Sequence, residues 1–301
     1  MKRSFEISRR GSALLLSLWA LFLLSAMIIG WALDINNRIT LSGNASRMLE
    51  AEACACSGAE IAINPDTDPG DSILIGSLGK NQTYNAKIIG EGGRININWI
   101  VAGENPQRLQ ILRQYLENKG IELNQVEHMM DCLLDYVDPD DIPRLNGAEA
   151  DDTYHPRNAL LQTVEELAQV KGWEDFCARP GWDDDFTIYS SGPIDLQWAS
   201  RDVLLALPGL NEPMVDRFLQ MRRGPDGIDG TADDMQFDSV QQALVAMGFS
   251  TQQSEQLSGL VEYNDRVVRV TSVGKSGNAT RTVQMILRKA GLSQIIRWKE
   301  S

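Results

Sequence analysis

Apolar and polar positions divide the chain into a long front segment, a mixed middle and an alternating end. Ser12 to Leu33 is an unbroken run of 22 uncharged residues, which as a helix spans roughly 33 Å, the thickness of a bilayer's hydrocarbon core. Beyond Asp34 the apolar positions thin out to helical spacing at Ile35, Ile39, Ala45, Met48 or Leu49, Cys56, Ala59 and Ile63. One helix is therefore expected to continue to residue 63 as an amphipathic stem. Asn64-Pro-Asp-Thr-Asp-Pro-Gly-Asp71 ends it with turn formers. Thr83–Ile89 and Arg94–Ile100 then read as two short strands joined through Gly90-Glu-Gly-Gly93, and Arg266–Gly274 and Arg281–Arg288 as a second hairpin around Lys275-Ser-Gly-Asn278.

Between the hairpins the pattern is helical and weakly repeated. Arg94-Ile-Asn-Ile-Asn-Trp99 leads into helices over Pro106–Lys119 and Val126–Tyr136, and Pro193-Ile-Asp-Leu-Gln-Trp198 into helices over Ser200–Leu207 and Pro213–Arg222. Each pair turns on a glycine, Gly120 or Gly209. Strands at both ends of a helical block imply one sheet with a helical insertion, since isolated hairpins are marginal.

The leader before the apolar run holds Lys2, Arg3, Arg9 and Arg10 against Glu6, so it stays cytoplasmic and the bulk of the chain lies outside. A removed secretory signal is the rival reading, with Gly30-Trp31-Ala32 as a small-x-small cleavage site. It accounts for neither the length of the run nor the amphipathic continuation. Gly11 before Ser12 instead resembles a prepilin peptidase site, with Ser12 as the new N-terminus.

Charge narrows the partners. The chain carries 28 Lys+Arg and 41 Asp+Glu; loss of residues 1–11 leaves 24 and 40, a net charge of −16. Such a surface opposes phosphate backbones and anionic lipid, and suits a self-repelling soluble head or one that binds cations. Four cysteines are present, two of them, Cys132 and Cys177, in the head. Two readings stand for that pair: a disulfide, stabilising by about 3–4 kcal/mol through its roughly 45-residue loop, or two buried thiols.

Catalytic signatures are missing from the sequence, which has two histidines, His128 and His155, and no nucleophile elbow, zinc-protease or phosphate-loop motif. One acidic loop stands out. Asp226, Asp229, Asp233, Asp234 and Asp238 fall within thirteen residues, with Gly224, Gly227 and Gly230 bending the chain. Hard cations such as calcium take six to eight oxygens from carboxylates and carbonyls. The spacing is not that of an EF-hand, and a solvated acidic loop is the alternative. A second cluster, Asp131, Asp135, Asp138, Asp140 and Asp141 continuing to Glu149, Asp151 and Asp152, is the weaker candidate for such a cation and reads first as a turn with a capping role. Leu207-Pro-Gly-Leu210 looks like a helix-hairpin-helix turn, but Glu212 and Asp216 follow it and argue against DNA.

Taken in order, the glycine-ended leader, the apolar helix, Gly93-Arg-Ile-Asn-Ile-Asn98, Leu134-Asp-Tyr-Val-Asp-Pro-Asp-Asp141, Asn146-Gly-Ala-Glu149 with Tyr154, and Ala206-Leu-Pro-Gly-Leu210 resemble the family of general secretion pathway protein K. That is the largest minor pseudopilin of the type II secretion system. The resemblance implies an α+β, pilin-like fold: a long N-terminal helix on a small antiparallel sheet, interrupted by a large helical domain of sterile-alpha-motif-like or helix-hairpin-helix-like topology. It divides the chain into a leader at 1–11, a membrane part of the helix at 12–33 and a periplasmic part at 34–63. The sheet takes 64–102 and 263–301, and two helical domains take 103–192 and 193–262.

The resemblance also implies calcium in the head and assembly with the minor pseudopilins I and J, with H, and with the major pseudopilin. Prepilin peptidase and the inner membrane are further partners, nucleic acid is not, and no enzymatic activity is expected. Most pilin-like proteins carry a glutamate at the fifth mature position; here it is Leu16, as is usual for protein K, and this marks a place at the pseudopilus tip, where the protein would initiate and cap the fibre. A membrane-anchored nucleic-acid-binding module and a periplasmic hydrolase with an acidic site are the competing readings.

Overall fold

The structure, a computed structural model, describes residues 9–301; the leader over residues 1–8 lies outside them. α1 (Arg9–Ile63) is a continuous helix of 55 residues, about 82 Å long at 1.5 Å per residue. Gly11 and Ser12 fall within its first turns. Every residue from Ala13 to Leu49 is exposed, including a window of mean hydropathy 2.4 that is apolar and long enough to cross a membrane.

The face that packs is not the one the larger apolar residues suggest. Ile35, Ile39, Met48 and Leu49 are exposed, whereas Ala51, Cys54, Ala55, Ala59 and Ala62 are buried. The reason is closeness of approach. A Cβ on Gly274 would stand 2.0 Å from the Ala51 carbonyl oxygen, and one on Gly58 would stand 2.4 Å from Ser272 Oγ. Only small side chains let helix and sheet backbones come so near.

β1 (Ile75–Gly79) and β2 (Gln82–Gly90) form an antiparallel hairpin. The expected partner of the second, Arg94–Ile100, is elsewhere. The chain leaves the sheet through the turn Glu91–Gly93, makes the two-residue β3 (Ile95–Asn96) and enters α2 (Ile97–Val101). Asn96 sets that start, its side chain accepting the Trp99 N–H. Ile95, Ile97 and Ile100 belong to the core of the insert, so the sheet's first section ends at Gly90, short of residue 102.

The insert continues as α3 (Pro106–Asn118), α4 (Leu123–Val137), α5 (Glu174–Cys177) and β4 (Phe186–Thr187). Then follow β5 (Ile194–Asp195), α6 (Arg201–Leu205), α7 (Glu212–Arg222), α8 (Val240–Met247), α9 (Thr251–Gln256) and β6 (Val261–Glu262). The repeat read from the sequence has a structural counterpart. β3 pairs in parallel with β4, and β5 in parallel with β6, so each unit closes on itself with a two-residue pair. Gly120 and Gly209 occupy matching left-handed turns, at φ +80° and +82°. The two units are not separate bodies, because one hydrophobic cluster runs from Ile95 to Val261 through both.

β7 (Val267–Ser276), β8 (Ala279–Arg288) and β9 (Gln294–Glu300) complete the sheet in the order β1-β2-β7-β8-β9, antiparallel throughout. β2 and β7 pair from Gln82 opposite Ser276 to Gly90 opposite Val268, so the strands flanking the insert are neighbours, as the terminal hairpins implied. Ile88, Val270, Met285 and Leu287 face α1. Asp195, fully buried at the neck, accepts N–H bonds from Gln197, Asn264 and Asp265, tying the outgoing and returning chain together.

Candidate metal centre and assembly helix

The loop after α7 bends on Gly224, Gly227 and Gly230, each with positive φ. It gathers Asp226, Asp233 and Asp234, which offer oxygens within 4.8 Å of one another. Asp229 and Asp238 do not join them. Asp229 answers the Arg222 guanidinium, which is only 2% exposed and lies 2.8 Å away, and also holds Arg223 at 2.9 Å. Arg222 donates besides to the carbonyls of Leu196 and Ala199. A buried guanidinium without a carboxylate is costly, so Asp229 serves as its counter-ion. Asp238 sits beside the start of α8, its N–H donating to the Gln242 side chain.

The remaining carboxylates of this loop are bonded within it. Ile228 N donates to Asp226 Oδ1, Asp226 N and the Thr231 hydroxyl to Asp233, and Gly230 N to Asp234 Oδ2. Foremost through the Thr231 hydroxyl, Asp233 is held below the usual carboxylate range.

The second acidic cluster is built differently. Asp138, Asp140 and Glu149 bring their oxygens within 4.8 Å of one another. Arg144 lies across Asp135, Asp138 and Glu104, and Asp140 accepts the Ile142 N–H, the turn role expected of it. Both Glu149 oxygens and Asp138 Oδ1 are buried without a hydrogen-bond partner. Burial first, then Asp135 and Asp138, push the Glu149 carboxyl up. In the sequence this glutamate stands only as one continuation of the acidic cluster, because nothing in its spacing shows that folding would bury its oxygens without a partner. Both clusters offer oxygen donors only, which fits a hard cation.

Cys132 is buried and Cys177 half-buried, both as free thiols; no disulfide joins them. Burial pushes each thiol up to about 12. Packed on the i−4 side of Cys132, His128 has its Nδ1 3.6 Å from Sγ. At the Leu207–Leu210 turn, Arg201 is engaged by Asp216 and Glu212, so its cation is spent where phosphate contacts would need one. Leu16 is 70% exposed on the apolar part of α1.

A long helix, exposed over its apolar half and laid along a small antiparallel sheet that a helical insertion interrupts, defines a mixed α+β fold. Residues 93–176 match the family model of type II secretion system protein K. The chain is 39% identical over 72 residues to type II secretion system protein K of Dickeya chrysanthemi, covering 23% of this chain and 20% of that one. It is 36% identical over 70 residues to the putative type II secretion system protein K of Escherichia coli strain K12, covering 21% of each. The matched stretch thus spans about a fifth of the curated relatives' own length. A chain of the crystal structure of the GspK-GspI-GspJ complex from the enterotoxigenic Escherichia coli type 2 secretion system superposes with a TM-score of 0.57 at 13% identity, over 89% of this chain and 98% of that one. The family that the order of motifs resembles is therefore the one these comparisons return: the type II secretion system protein K family.

Proposed function

We propose that this chain is a non-enzymatic minor pseudopilin of the type II secretion system, set at the tip of a periplasmic pseudopilus that it initiates and caps during export. The observation that carries the reading is the placement of the matched domain. Residues 93–176 begin where the chain leaves a pilin-like sheet at Gly90, and the same sheet is rejoined at Val267. The apolar part of α1 anchors the subunit in the inner membrane before assembly, with the acidic head in the periplasm. Prepilin peptidase cuts between Gly11 and Ser12, leaving an N-terminus open to methylation. The partners are I-like and J-like minor pseudopilins, the pair named with the structural neighbour, together with an H-like subunit and the major pseudopilin.

Two features support the tip. A subunit with Leu16 lacks the carboxylate that could pair with a neighbour's terminal ammonium and offset a cost of roughly 2.5–3.5 kcal/mol in the membrane. Bulk acts in the same direction, since the insert would obstruct a subunit stacked above it. The test is co-purification of the full chain with its I-like and J-like neighbours, with intact mass on the mature protein. One copy of each, and a start at Ser12, are expected; a start at Leu33, or copies repeated along the fibre, would overturn the reading.

Calcium completes the proposal. Asp226, Asp233 and Asp234 would hold one ion, ordering the loop between α7 and α8. The orphaned oxygens of Glu149 make the second cluster its competitor, and chelation with variants in each loop separates the two.

A further inference from the structure

Sheet and insert flank a cavity of about 90 Å³ that is partly open to solvent. It lies on the sheet face opposite α1, because Arg269, Gln284 and Arg297 alternate with the residues that meet the helix. In a chain of net charge −13 four cations line this one space: Arg94, Arg269, Arg297 and Lys299. The acidic residues on its wall are Glu165 and Asp183.

The acids at hand do not use up these cations. Arg269 is spent, forking onto the fully buried Glu91 at 2.7 and 2.8 Å, and Glu91 also takes the Thr187 hydroxyl. Arg297 reaches Glu165 at 3.3 Å and the Tyr189 hydroxyl at 3.4 Å, both long for charge-assisted bonds. Arg94 is 20% exposed, and its nearest carboxylate oxygen, on Glu91, is 3.9 Å away. Among the described residues, neither Arg94 nor Lys299 has a closer acidic partner. Burial and then the neighbouring Arg269 depress the Arg94 guanidinium's pKa, against weaker opposition from Glu91, Asp184 and Asp185.

Size selects the ligand. A space of about 90 Å³ falls well short of the roughly 300 Å³ at which pockets for drug-sized molecules begin. A planar carboxylate fits it, and guanidinium forks match that shape. Val164, Phe186 and Ile286 in the wall suit a short apolar stem behind the charge.

We propose that this seam is a carboxylate-binding pocket, in which Arg94 and Arg297 grip an acidic side chain or a chain-terminal carboxylate of another polypeptide, with Lys299 adding charge at its mouth. The proposal goes beyond the assembly reading and does not need it, since the cavity's own cations set the ligand class.

Calorimetric titration of the full chain in detergent, at fixed ionic strength, tests it with three probes. N-acetylglutamate α-amide carries a side-chain carboxylate, N-acetylalanine a terminal one, and N-acetylglutamine amide none. Saturable binding of at least one acid is expected, the tighter of the two identifying the source, with no binding of the neutral probe. Arg94→Gln and Arg297→Gln should each weaken it at least about tenfold, while Arg94→Lys retains part. Equal binding by a folded Arg94→Gln chain, equal binding of the neutral probe, or no saturable binding of either acid would overturn the pocket. Should Arg94→Gln not fold, Arg297→Gln decides in the same way.

Discussion

Between Asp226 and Asp234 each aspartate finds donors on its own loop or on Arg222 and Arg223, whereas between Asp138 and Glu149 the glutamate finds none. The first loop is the denser in charge, yet its glycines let backbone N–H groups turn back onto the carboxylates. The second is pinned by Arg144, which satisfies Asp135 and part of Asp138 and leaves Glu149 facing other acids. Charge density alone therefore does not measure demand for a cation. Oxygens left without donors add to it, because a desolvated carboxylate without a partner carries the full cost of its lost hydration.

The largest effect expected from this contrast is structural. Asp229→Ala should destabilise the head by about 3 kcal/mol, the lower end for breaking a buried pair, because Arg222 stays buried while Asp229 itself keeps 29% exposure. Urea unfolding measures it. A near-neutral result would remove Asp229 as the counter-ion of Arg222 and return it to the metal question.

Chelation comes next. Binding to the folded chain alone at 100 times the dissociation constant contributes about 2.7 kcal/mol, so the melting temperature should fall in chelator. Asp226→Asn with Asp233→Asn should abolish the response if the first loop is the site, and Glu149→Gln if the second is. A response untouched by either set would exclude both.

A smaller effect separates the loops without metal. In chelator, Glu149→Gln should stabilise by about 1 kcal/mol, at the low end for a buried polar group without partners. Asp233→Asn, which loses a bonded carboxylate, should not. Differential scanning calorimetry of the two variants side by side reads the difference.

The smallest is a matter of slope. Glu149 has a raised pKa in the folded chain, so its contribution is present below the unfolded carboxyl value and is lost as pH rises through the folded one. Asp233 is lowered, so its contribution is present above the unfolded value and is lost as pH falls through the folded one. Metal-free stability measured against pH should therefore lose a component of one sign in Glu149→Gln and of the opposite sign in Asp233→Asn. Two variants with the same pH profile would refute the assignment.

Much of the architecture was legible before folding. The apolar run, the amphipathic continuation to Ile63, the terminal β7–β8 hairpin and the insertion between paired strands are local patterns or follow from chain order. The caps of α3 and α6, the side chains of Asn105 and Ser200, emerged only with the structure. β1, β9 and α8 were not read, since their short segments carry signals that loops share. Arg94–Ile100 misled because its alternation fits a strand, whereas Asn96 starts a helix there and Ile95 and Ile97 face the insert's core. In the acidic loop, three of the five aspartates converge; the departure of Asp229 depended on Arg222 becoming buried.

The sequence by itself determined the class of element at each long segment, the sites of turning and the overall charge, because these rest on spacing and on residue chemistry within a few positions. Only the tertiary structure decided which face of α1 is covered, by bringing Gly274 against Ala51. It likewise decided which carboxylates keep their donors, and it set four cations around one cavity at the seam. Those outcomes depend on distances between segments far apart in the chain, and burial, which fixes the cost of every unpaired charge, exists only once they have met.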